Sequence, residues 1–158
     1  SKILDAGCGT GLTGMALRKY GYTDIVGIDI SNQSLLLAQK TGVYSDLQHQ
    51  DLQKQPFSFK KNEFDSVICI GVLAYIEDPK SLFKEFCRIV RPGGYIVFSQ
   101  REDLVKSFNY PKILNELEHE NYWKNYMFSE PKTYLPKNED FTDELKVIYY
   151  VFQTLEVE

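Results

Sequence analysis

Residues 4–11 read Leu-Asp-Ala-Gly-Cys-Gly-Thr-Gly, a strand end followed by a glycine-rich loop. A short apolar strand, residues 2–6, carries one carboxylate, Asp5, close to its end. Glycines follow at positions 7, 9 and 11, before an amphipathic segment that begins at Leu12. Glycine adopts positive φ without strain and has no Cβ, so the backbone can turn sharply and approach a ligand closely. The order of strand, carboxylate, glycine loop and helix therefore predicts a small-molecule site.

The same loop also matches a dinucleotide-binding pattern. Residues 9–14 read Gly-Thr-Gly-Leu-Thr-Gly, and an acidic residue, Asp29, follows farther along the chain, as in proteins that bind a dinucleotide ribose. A pyrophosphate would sit at the helix N-terminus, where it would meet Asp5. Like charges a few ångströms apart repel by roughly several kcal/mol at an effective dielectric near 20. This repulsion disfavours a nicotinamide-dependent oxidoreductase.

S-adenosylmethionine suits both the carboxylates and the glycines. Its methionyl ammonium matches Asp5, its ribose diol matches Asp29, and it carries no phosphate. An isolated match of this kind can also be only a tight strand-to-helix turn. Three functions are therefore weighed: a methyltransferase that uses S-adenosylmethionine, a nicotinamide-dependent oxidoreductase, and a module that binds S-adenosylmethionine without catalysis.

The composition is that of an ordinary globular domain. The chain has 158 residues, a formal net charge of −4 and 43% hydrophobic residues, which is enough for one domain with a buried core. The acidic balance disfavours nucleic-acid partners, and no apolar run approaches the ~20 residues of a membrane span. Cys8, Cys69 and Cys87 fit a reducing, cytoplasmic setting better than a disulfide framework. Their spacing predicts no metal site.

Predicted strands and helices alternate over the first two thirds of the chain, which indicates a parallel sheet with helices on both faces. Strands are expected at 2–6, 25–30, 44–49, 64–70 and 95–99. Helices are expected at 12–20, 32–41, 79–91 and 112–120. Ser31 and Asp78 are the expected N-caps, and Pro92-Gly93-Gly94 is expected to end the third helix. Leu12, Ala16 and Tyr20 form the expected inner stripe of the first helix.

Two more strands are expected in the last third, at 122–128 and 145–155, joined by a polar, proline-bearing loop. Both faces of the later strand are apolar, so it is predicted to lie inside the sheet. The prediction is one α/β domain, residues 1–158, with a Rossmann-like, doubly wound sheet. Ligands of such sheets bind outside the carboxyl ends of the strands, and the polar residues discussed so far all fall there.

The chain resembles the class I S-adenosylmethionine-dependent methyltransferases. The resemblance is carried by residues 5–11, by Val-Gly-Ile-Asp-Ile-Ser at 26–31, by His-Gln-Asp-Leu at 49–52, by residues 64–73 and by Arg-Pro-Gly-Gly at 91–94. It implies seven strands in the order 3-2-1-4-5-7-6, with the last strand antiparallel. It also implies that the glycine loop faces the methionyl group, Asp29 the ribose, Asp51 and Leu52 the adenine, and the carbonyl of Ile70 the ammonium. The cofactor-binding residues so predicted are Asp5, Gly7, Cys8, Gly9, Thr10, Gly11, Asp29, Ile30, Asp51, Leu52, Ile70 and Gly71.

A narrower resemblance is to the methyltransferase-like subfamily of the Williams-Beuren syndrome region. It is carried by Gly42-Val43-Tyr44, by Asp51-Leu52 and by Ser99-Gln100-Arg101. Members of the wider family generally have helices before the first strand that cover the cofactor, whereas here Ser1 precedes that strand directly. The expectation is a domain without these lid helices.

The methyl acceptor is predicted to be a small molecule of unidentified structure, and no residue is assigned to catalysis. Transfer from a sulfonium needs a nucleophile held about 3 to 3.5 Å from the methyl carbon, so positioning can supply much of the rate. Tyr75 and Arg101 are the predicted acceptor-binding residues, and with His49 they are the candidates for moving a proton. The alternatives are loop packing for Tyr75, a strand-end role near adenine for His49, and an ion pair with Glu102 or Asp103 for Arg101. His119 is expected on the surface.

Overall fold

A mixed β-sheet organises the chain in the computed structural model, which describes residues 1–133 and 145–156. The described strands are β1 (Lys2–Ala6), β2 (Asp24–Asp29), β3 (Asp46–His49), β4 (Phe64–Cys69), β5 (Val90–Arg101), β6 (Trp123–Phe128), β7 (Lys132–Thr133) and β8 (Lys146–Thr154). Their order in the sheet is β3-β2-β1-β4-β5-β8-β6, and β7 pairs with β8.

The strand order confirms the predicted fold. The strands β1 to β5 run parallel to one another, whereas β8 is antiparallel to both β5 and β6. As expected from its two apolar faces, β8 lies inside the sheet, between β5 and β6. The two-residue strand β7 is additional to the seven predicted strands. The loop predicted before β8 lies largely outside the described residues, which omit 134–144.

The described helices connect these strands and pack around the sheet. They are α1 (Leu12–Lys19), α2 (Asn32–Lys40), α3 (Pro79–Ile89), α4 (Glu102–Ser107) and α5 (Tyr110–His119), and a single 3-10 turn covers Leu73–Tyr75. Within the described part of the chain, every helix is too short or too polar to cross a membrane.

Both predicted N-caps are confirmed. The hydroxyl of Ser31 accepts a hydrogen bond from the Ser34 N–H at 3.1 Å, and the carboxylate of Asp78 accepts one from the Ser81 N–H at 3.1 Å. Each bond satisfies one N–H that the first turn of a helix leaves free. The starts of α2 and α3, and with them the connections after β2 and β4, are therefore set by local sequence.

The predicted inner stripe of α1 is wrong. Leu12 is 74% exposed, Tyr20 is 83% exposed and Ala16 is also exposed, whereas Gly14 is buried. A Cβ on Gly14 would lie 2.4 Å from the ring of Tyr44. The helix approaches the sheet through its smallest residue because that face has to accommodate the ring of Tyr44, which lies in the connection between α2 and β3.

The predicted start of β5 is also wrong. The helix α3 ends at Ile89, and the next residue, Val90, already pairs with Phe64 of β4. The strand then continues through the Pro-Gly-Gly segment, where a Cβ on Gly94 would lie 2.3 Å from the carbonyl oxygen of Asp65. Glycine lets the two backbones approach here, so the segment belongs to the strand.

An aromatic cluster fixes the half of the sheet that contains β5, β6 and β8. The ring of Phe83 on α3 lies 4.7 Å from that of Phe98 on β5, and Trp123 on β6 lies 4.1 Å from Phe152 on β8. All four side chains are buried. Rings of this size bury large apolar areas and favour such close packing, so the cluster holds α3 against β5 and β6 against β8.

Candidate functional site

A cleft of about 780 Å³ lies at the carboxyl ends of the parallel strands. This is the edge where ligands bind in open α/β sheets. The cleft is lined by Gly7, Cys8, Gly9, Thr10, Leu12, Thr13, Asp29, Ile30, Gln50, Asp51, Leu52, Gln53, Ile70, Gly71, Val72, Tyr75, Ile76, Thr133 and Tyr149. Ten of the twelve residues predicted to bind the cofactor are in this set; Asp5 and Gly11 are not.

The glycine loop is anchored at its start and open at its middle. The N–H groups of Gly7 and Cys8 both donate to the carbonyl of Ile28 at 2.9 Å. Gly7 has φ +74°, and a Cβ there would lie 2.5 Å from the side chain of Val72. Gly9 has φ +54°, but a Cβ there would meet no heavy atom within 4 Å. The backbone at Gly9 therefore faces free space in the cleft, as a ligand that contacts the main chain requires.

Asp29 connects the end of β2 to this loop. Its Oδ2 accepts a hydrogen bond from the Gly9 N–H at 2.9 Å, and its Oδ1 accepts one from the Ser31 N–H at 2.9 Å. An ionised carboxylate offers about four acceptor positions. Asp29 can therefore hold the loop and still accept hydrogen bonds from a diol in the cleft.

The segment after β3 brings a second carboxylate to the cleft. The Oδ1 of Asp51 accepts a hydrogen bond from the Gln53 N–H at 2.9 Å, which fixes the turn that follows the strand. Leu52 is buried, and Ile30, after β2, is exposed toward the cleft. Carboxylate and apolar surface thus lie together at this end, a combination that can bind a purine ring by its edge and its faces.

The opposite end of the cleft is shaped by Gly71, which follows β4 and Ile70. Gly71 has φ +75°, and its N–H donates to the hydroxyl of Ser99 at 3.0 Å. Ser99 is buried on β5. A buried hydroxyl from the neighbouring strand therefore fixes the backbone that carries the carbonyl of Ile70.

Asp5 lies behind the glycine loop rather than in the cleft. Its side chain is 2% exposed, and its Oδ2 accepts a hydrogen bond from the Tyr44 hydroxyl at 2.6 Å. Burial raises the pKa of Asp5 to about 6, although the hydrogen bond from Tyr44 opposes the rise. Burial, with Asp5 and Asp29 nearby, raises the pKa of the Cys8 thiol to about 12. Cys8 is therefore protonated near neutral pH and is not a nucleophile.

The charge of the cleft is one-sided. Among the described residues that line it, two are acidic, Asp29 and Asp51, and none is Lys, Arg or His. Such a lining attracts a cationic ligand and repels a polyanion.

Of the two residues predicted to bind the acceptor, Tyr75 lies in the cleft and Arg101 does not. Tyr75 lines the cleft and is 79% exposed. Arg101 lies outside it, where its guanidinium pairs with Asp103 at 2.7 Å, which was the alternative interpretation. The Nε2 of His49 lies 2.7 Å from the carbonyl of Ile30, also outside the cleft. His119 is exposed at the end of α5.

Several lining residues were not predicted. Gln50, Gln53, Val72 and Ile76 are close in sequence to predicted residues, so proximity to Asp51 and Gly71 could have indicated them. Thr133 and Tyr149 come from β7 and β8, and no local pattern connects them to the glycine loop.

Comparison with protein families identifies the fold and its class. Residues 4–98 match the model of a family described as a methyltransferase domain. The chain belongs to this methyltransferase family. The match confirms the predicted enzyme class and its cofactor, S-adenosylmethionine, and it argues against the oxidoreductase.

Two curated relatives are ubiquinone biosynthesis O-methyltransferases. The protein from Paracidovorax citrulli is 32% identical over 68% of this chain and 46% of its own length. The protein from Idiomarina loihiensis is 35% identical over 68% of this chain and 45% of its own length. The chain therefore spans about half the length of the curated relatives it matches.

Solved structures share the fold over nearly the whole chain. A S-adenosylmethionine-dependent methyltransferase from Methanosarcina mazei superposes with a TM-score of 0.76 at 19% identity, covering 99% of this chain and 93% of its own. One from Mesorhizobium loti gives 0.76 at 17% identity, covering 96% and 90%. At these identities the likeness establishes the fold.

Proposed function

We propose that this domain binds S-adenosylmethionine in the cleft and transfers its methyl group to a hydroxyl oxygen of a small acceptor, with S-adenosylhomocysteine as product. The observation that carries the proposal is a cleft in which an open glycine loop meets two carboxylates and no cationic side chain among the described lining residues. This lining suits a ligand with an ammonium and a sulfonium, and it opposes the phosphates of a dinucleotide.

The residues of the cleft fit the parts of this cofactor. Asp29 retains acceptor positions for the ribose hydroxyls beyond its two backbone hydrogen bonds. Asp51 and Leu52 face the adenine, and the carbonyl of Ile70 faces the ammonium. Asp5 acts on that ammonium as a charge behind the loop. When bound, the cofactor supplies a methyl group on a positively charged sulfur.

The outer part of the cleft is proposed to hold the acceptor. Tyr75 and Tyr149 bring two aromatic rings there, and Thr133 adds a hydroxyl. Rings offer apolar contact to an aromatic or otherwise planar molecule, and the hydroxyls can donate to or accept from its polar groups. The names of the curated relatives point to transfer to oxygen. We therefore favour a small hydroxylated aromatic acceptor. Tyr75 is the candidate for accepting the proton that the acceptor hydroxyl loses.

Two finer assignments belong to the same proposal. The segments Gly42-Val43-Tyr44 and Ser99-Gln100-Arg101 support membership of the Williams-Beuren region subfamily. The three cysteines are free and buried, which supports a reducing, cytoplasmic setting.

A transfer assay with methyl-labelled S-adenosylmethionine and a panel of hydroxylated aromatic compounds tests the proposal. We expect label in at least one compound with the wild-type protein and a strongly reduced rate with Asp29→Asn. Asp24→Asn, at the exposed start of the same strand, is the matched control and should behave as wild type. Binding of the cofactor without transfer to any of these compounds would reject a hydroxylated aromatic acceptor. If no acceptor in a cell extract is methylated either, the protein is a catalytically silent binding module.

A further inference from the structure

The ring of Tyr44 occupies a slot beneath the glycine loop that stays open because residues 14 and 27 are glycines. A Cβ on Gly14 of α1 would lie 2.4 Å from the ring and its hydroxyl, and a Cβ on Gly27 of β2 would lie 2.9 Å from the ring. A Cβ on Gly11, at the end of the loop, would lie 3.4 Å from it. Three separate elements therefore share one aromatic support, which sets the distance between the loop and the sheet.

The hydroxyl of Tyr44 ends at the buried carboxylate of Asp5, to which it donates at 2.6 Å. The other titratable groups that face Asp5 are Asp29 at the end of β2, Cys8 in the loop and Cys69 on β4. None of these described neighbours is a cation. The charge on Asp5 is therefore opposed by burial and by Asp29, and it is supported by the hydrogen bond from Tyr44.

Building on the proposed function, we propose that Tyr44 is a positioning residue for the cofactor: its ring supports the glycine loop, and its hydroxyl keeps Asp5 ionised behind the site of the methionyl ammonium. Tyr44 does not line the cleft, so it acts through Asp5 and through the loop. Burial and the neighbouring Asp5 raise the pKa of Tyr44. The hydroxyl consequently keeps its proton and remains the donor throughout the neutral range.

The proposal predicts a pH dependence that a space-filling side chain would not produce. With the pKa of Asp5 at about 6, the carboxylate is mostly ionised at neutral pH. Removal of the Tyr44 hydroxyl takes away the one interaction that favours the ionised form among those named above, so the pKa of Asp5 rises further. A ligand with an ammonium group should then bind well only at higher pH.

The test is calorimetric titration of S-adenosylhomocysteine into wild type, Tyr44→Phe, Asp5→Asn and the double variant, at several pH values across the neutral range. Tyr44→Phe keeps the ring and should raise the midpoint of the pH profile by about one unit. Binding should then weaken roughly twofold near about pH 7, and the loss should approach about tenfold as the pH falls below both midpoints. Asp5→Asn should bind S-adenosylhomocysteine weakly, and its affinity should not change with pH around the pKa of Asp5. The double variant should match Asp5→Asn because the two residues act as a pair. Tyr20→Phe, on an exposed tyrosine after α1, is the control and should match wild type.

Two outcomes would overturn the assignment of Tyr44. One is a Tyr44→Phe profile identical to that of wild type, and the other is a loss of affinity equal at every pH, which would indicate packing alone. If Tyr44→Phe does not fold, Asp5→Asn decides: a flat profile supports the proposal and an unchanged wild-type midpoint overturns it. Absence of binding by wild type itself would instead reject the proposed function, and this inference with it.

Discussion

The backbone N–H of Gly9 donates to Oδ2 of Asp29 at 2.9 Å. One residue is at the middle of the glycine loop and the other ends β2, so the bond connects two elements that both line the cleft. The second oxygen of the same carboxylate holds the start of α2 through the Ser31 N–H. Asp29 therefore shapes the site as well as facing a ligand.

The first prediction concerns this carboxylate. Asp29→Asn leaves one acceptor oxygen where two N–H groups need acceptors, and it removes a charged acceptor for the ribose. We expect binding of S-adenosylhomocysteine to weaken by about 1.5 to 3 kcal/mol, the range of a hydrogen bond to a charged group. Calorimetry on Asp29→Asn and on the control Asp24→Asn measures this. Equal affinities for the two variants would exclude Asp29 from the site.

The second prediction concerns the open middle of the loop. Gly9→Ala places a methyl group in the cleft and puts a non-glycine residue at φ +54°. Gly42→Ala also puts a non-glycine residue at a positive φ, +69°, but Gly42 does not line the cleft. Both should lose about 1 to 2 kcal/mol of stability, the usual cost of a left-handed conformation. Only Gly9→Ala should also lose affinity for S-adenosylhomocysteine, by roughly tenfold or more, since the backbone can no longer approach the ligand. Urea unfolding and calorimetry on both variants separate the two effects, and a similar loss of affinity in both would contradict the proposed role of Gly9.

The elements that local sequence controls were predictable. The strand β1 and the N-caps Ser31 and Asp78 depend on residues no more than a few positions apart, and the structure has them as expected. The inner face of α1 was not predictable, because the burial of Gly14 depends on Tyr44, far along the chain.

The site shows the same division. Residues at the end of a parallel strand or just after it, such as Asp29, Asp51 and Ile70, reach the cleft through topology alone. Tyr149 reaches it because β8 pairs antiparallel with β5, a contact between distant segments. Arg101 ends β5, but its guanidinium pairs with Asp103. Its position in the sheet does not predict whether it faces the cleft or forms this local ion pair.

The third prediction is a pH dependence of stability. The pKa of Asp5 is about 6 in the folded protein and about 4 in an unfolded chain, so the folded state binds this proton more tightly. The stability from this residue is full below about pH 4 and is lost as the pH rises through about 6. Asparagine cannot ionise, and the stability of Asp5→Asn relative to wild type should therefore increase by about 1 to 2 kcal/mol between about pH 5 and about pH 7.5.

Urea unfolding of both proteins at the two pH values checks this, with Asp24→Asn as the exposed control. A stability difference between Asp5→Asn and wild type that is the same at both pH values would show that Asp5 does not titrate in this range.

The fourth prediction concerns the hydroxyl that holds Gly71. Ser99→Ala leaves the Gly71 N–H without its acceptor and should cost about 1 to 2 kcal/mol of stability. The carbonyl of Ile70 would also be less fixed, so we expect several-fold weaker binding of S-adenosylhomocysteine. Ser107→Ala, at the exposed end of α4, should change neither quantity. Unchanged affinity in Ser99→Ala would mean that the ammonium end of the ligand does not depend on this backbone.

A pair of calorimetric titrations on the wild-type protein in one buffer, with S-adenosylhomocysteine and with NAD, tests the charge preference of the cleft. The described residues that line the cleft include Asp29 and Asp51 and no Lys, Arg or His. The cleft should therefore bind S-adenosylhomocysteine, which has an ammonium group, and NAD, which has a diphosphate, should give no binding heat. Binding of NAD together with no binding of S-adenosylhomocysteine would contradict this charge preference.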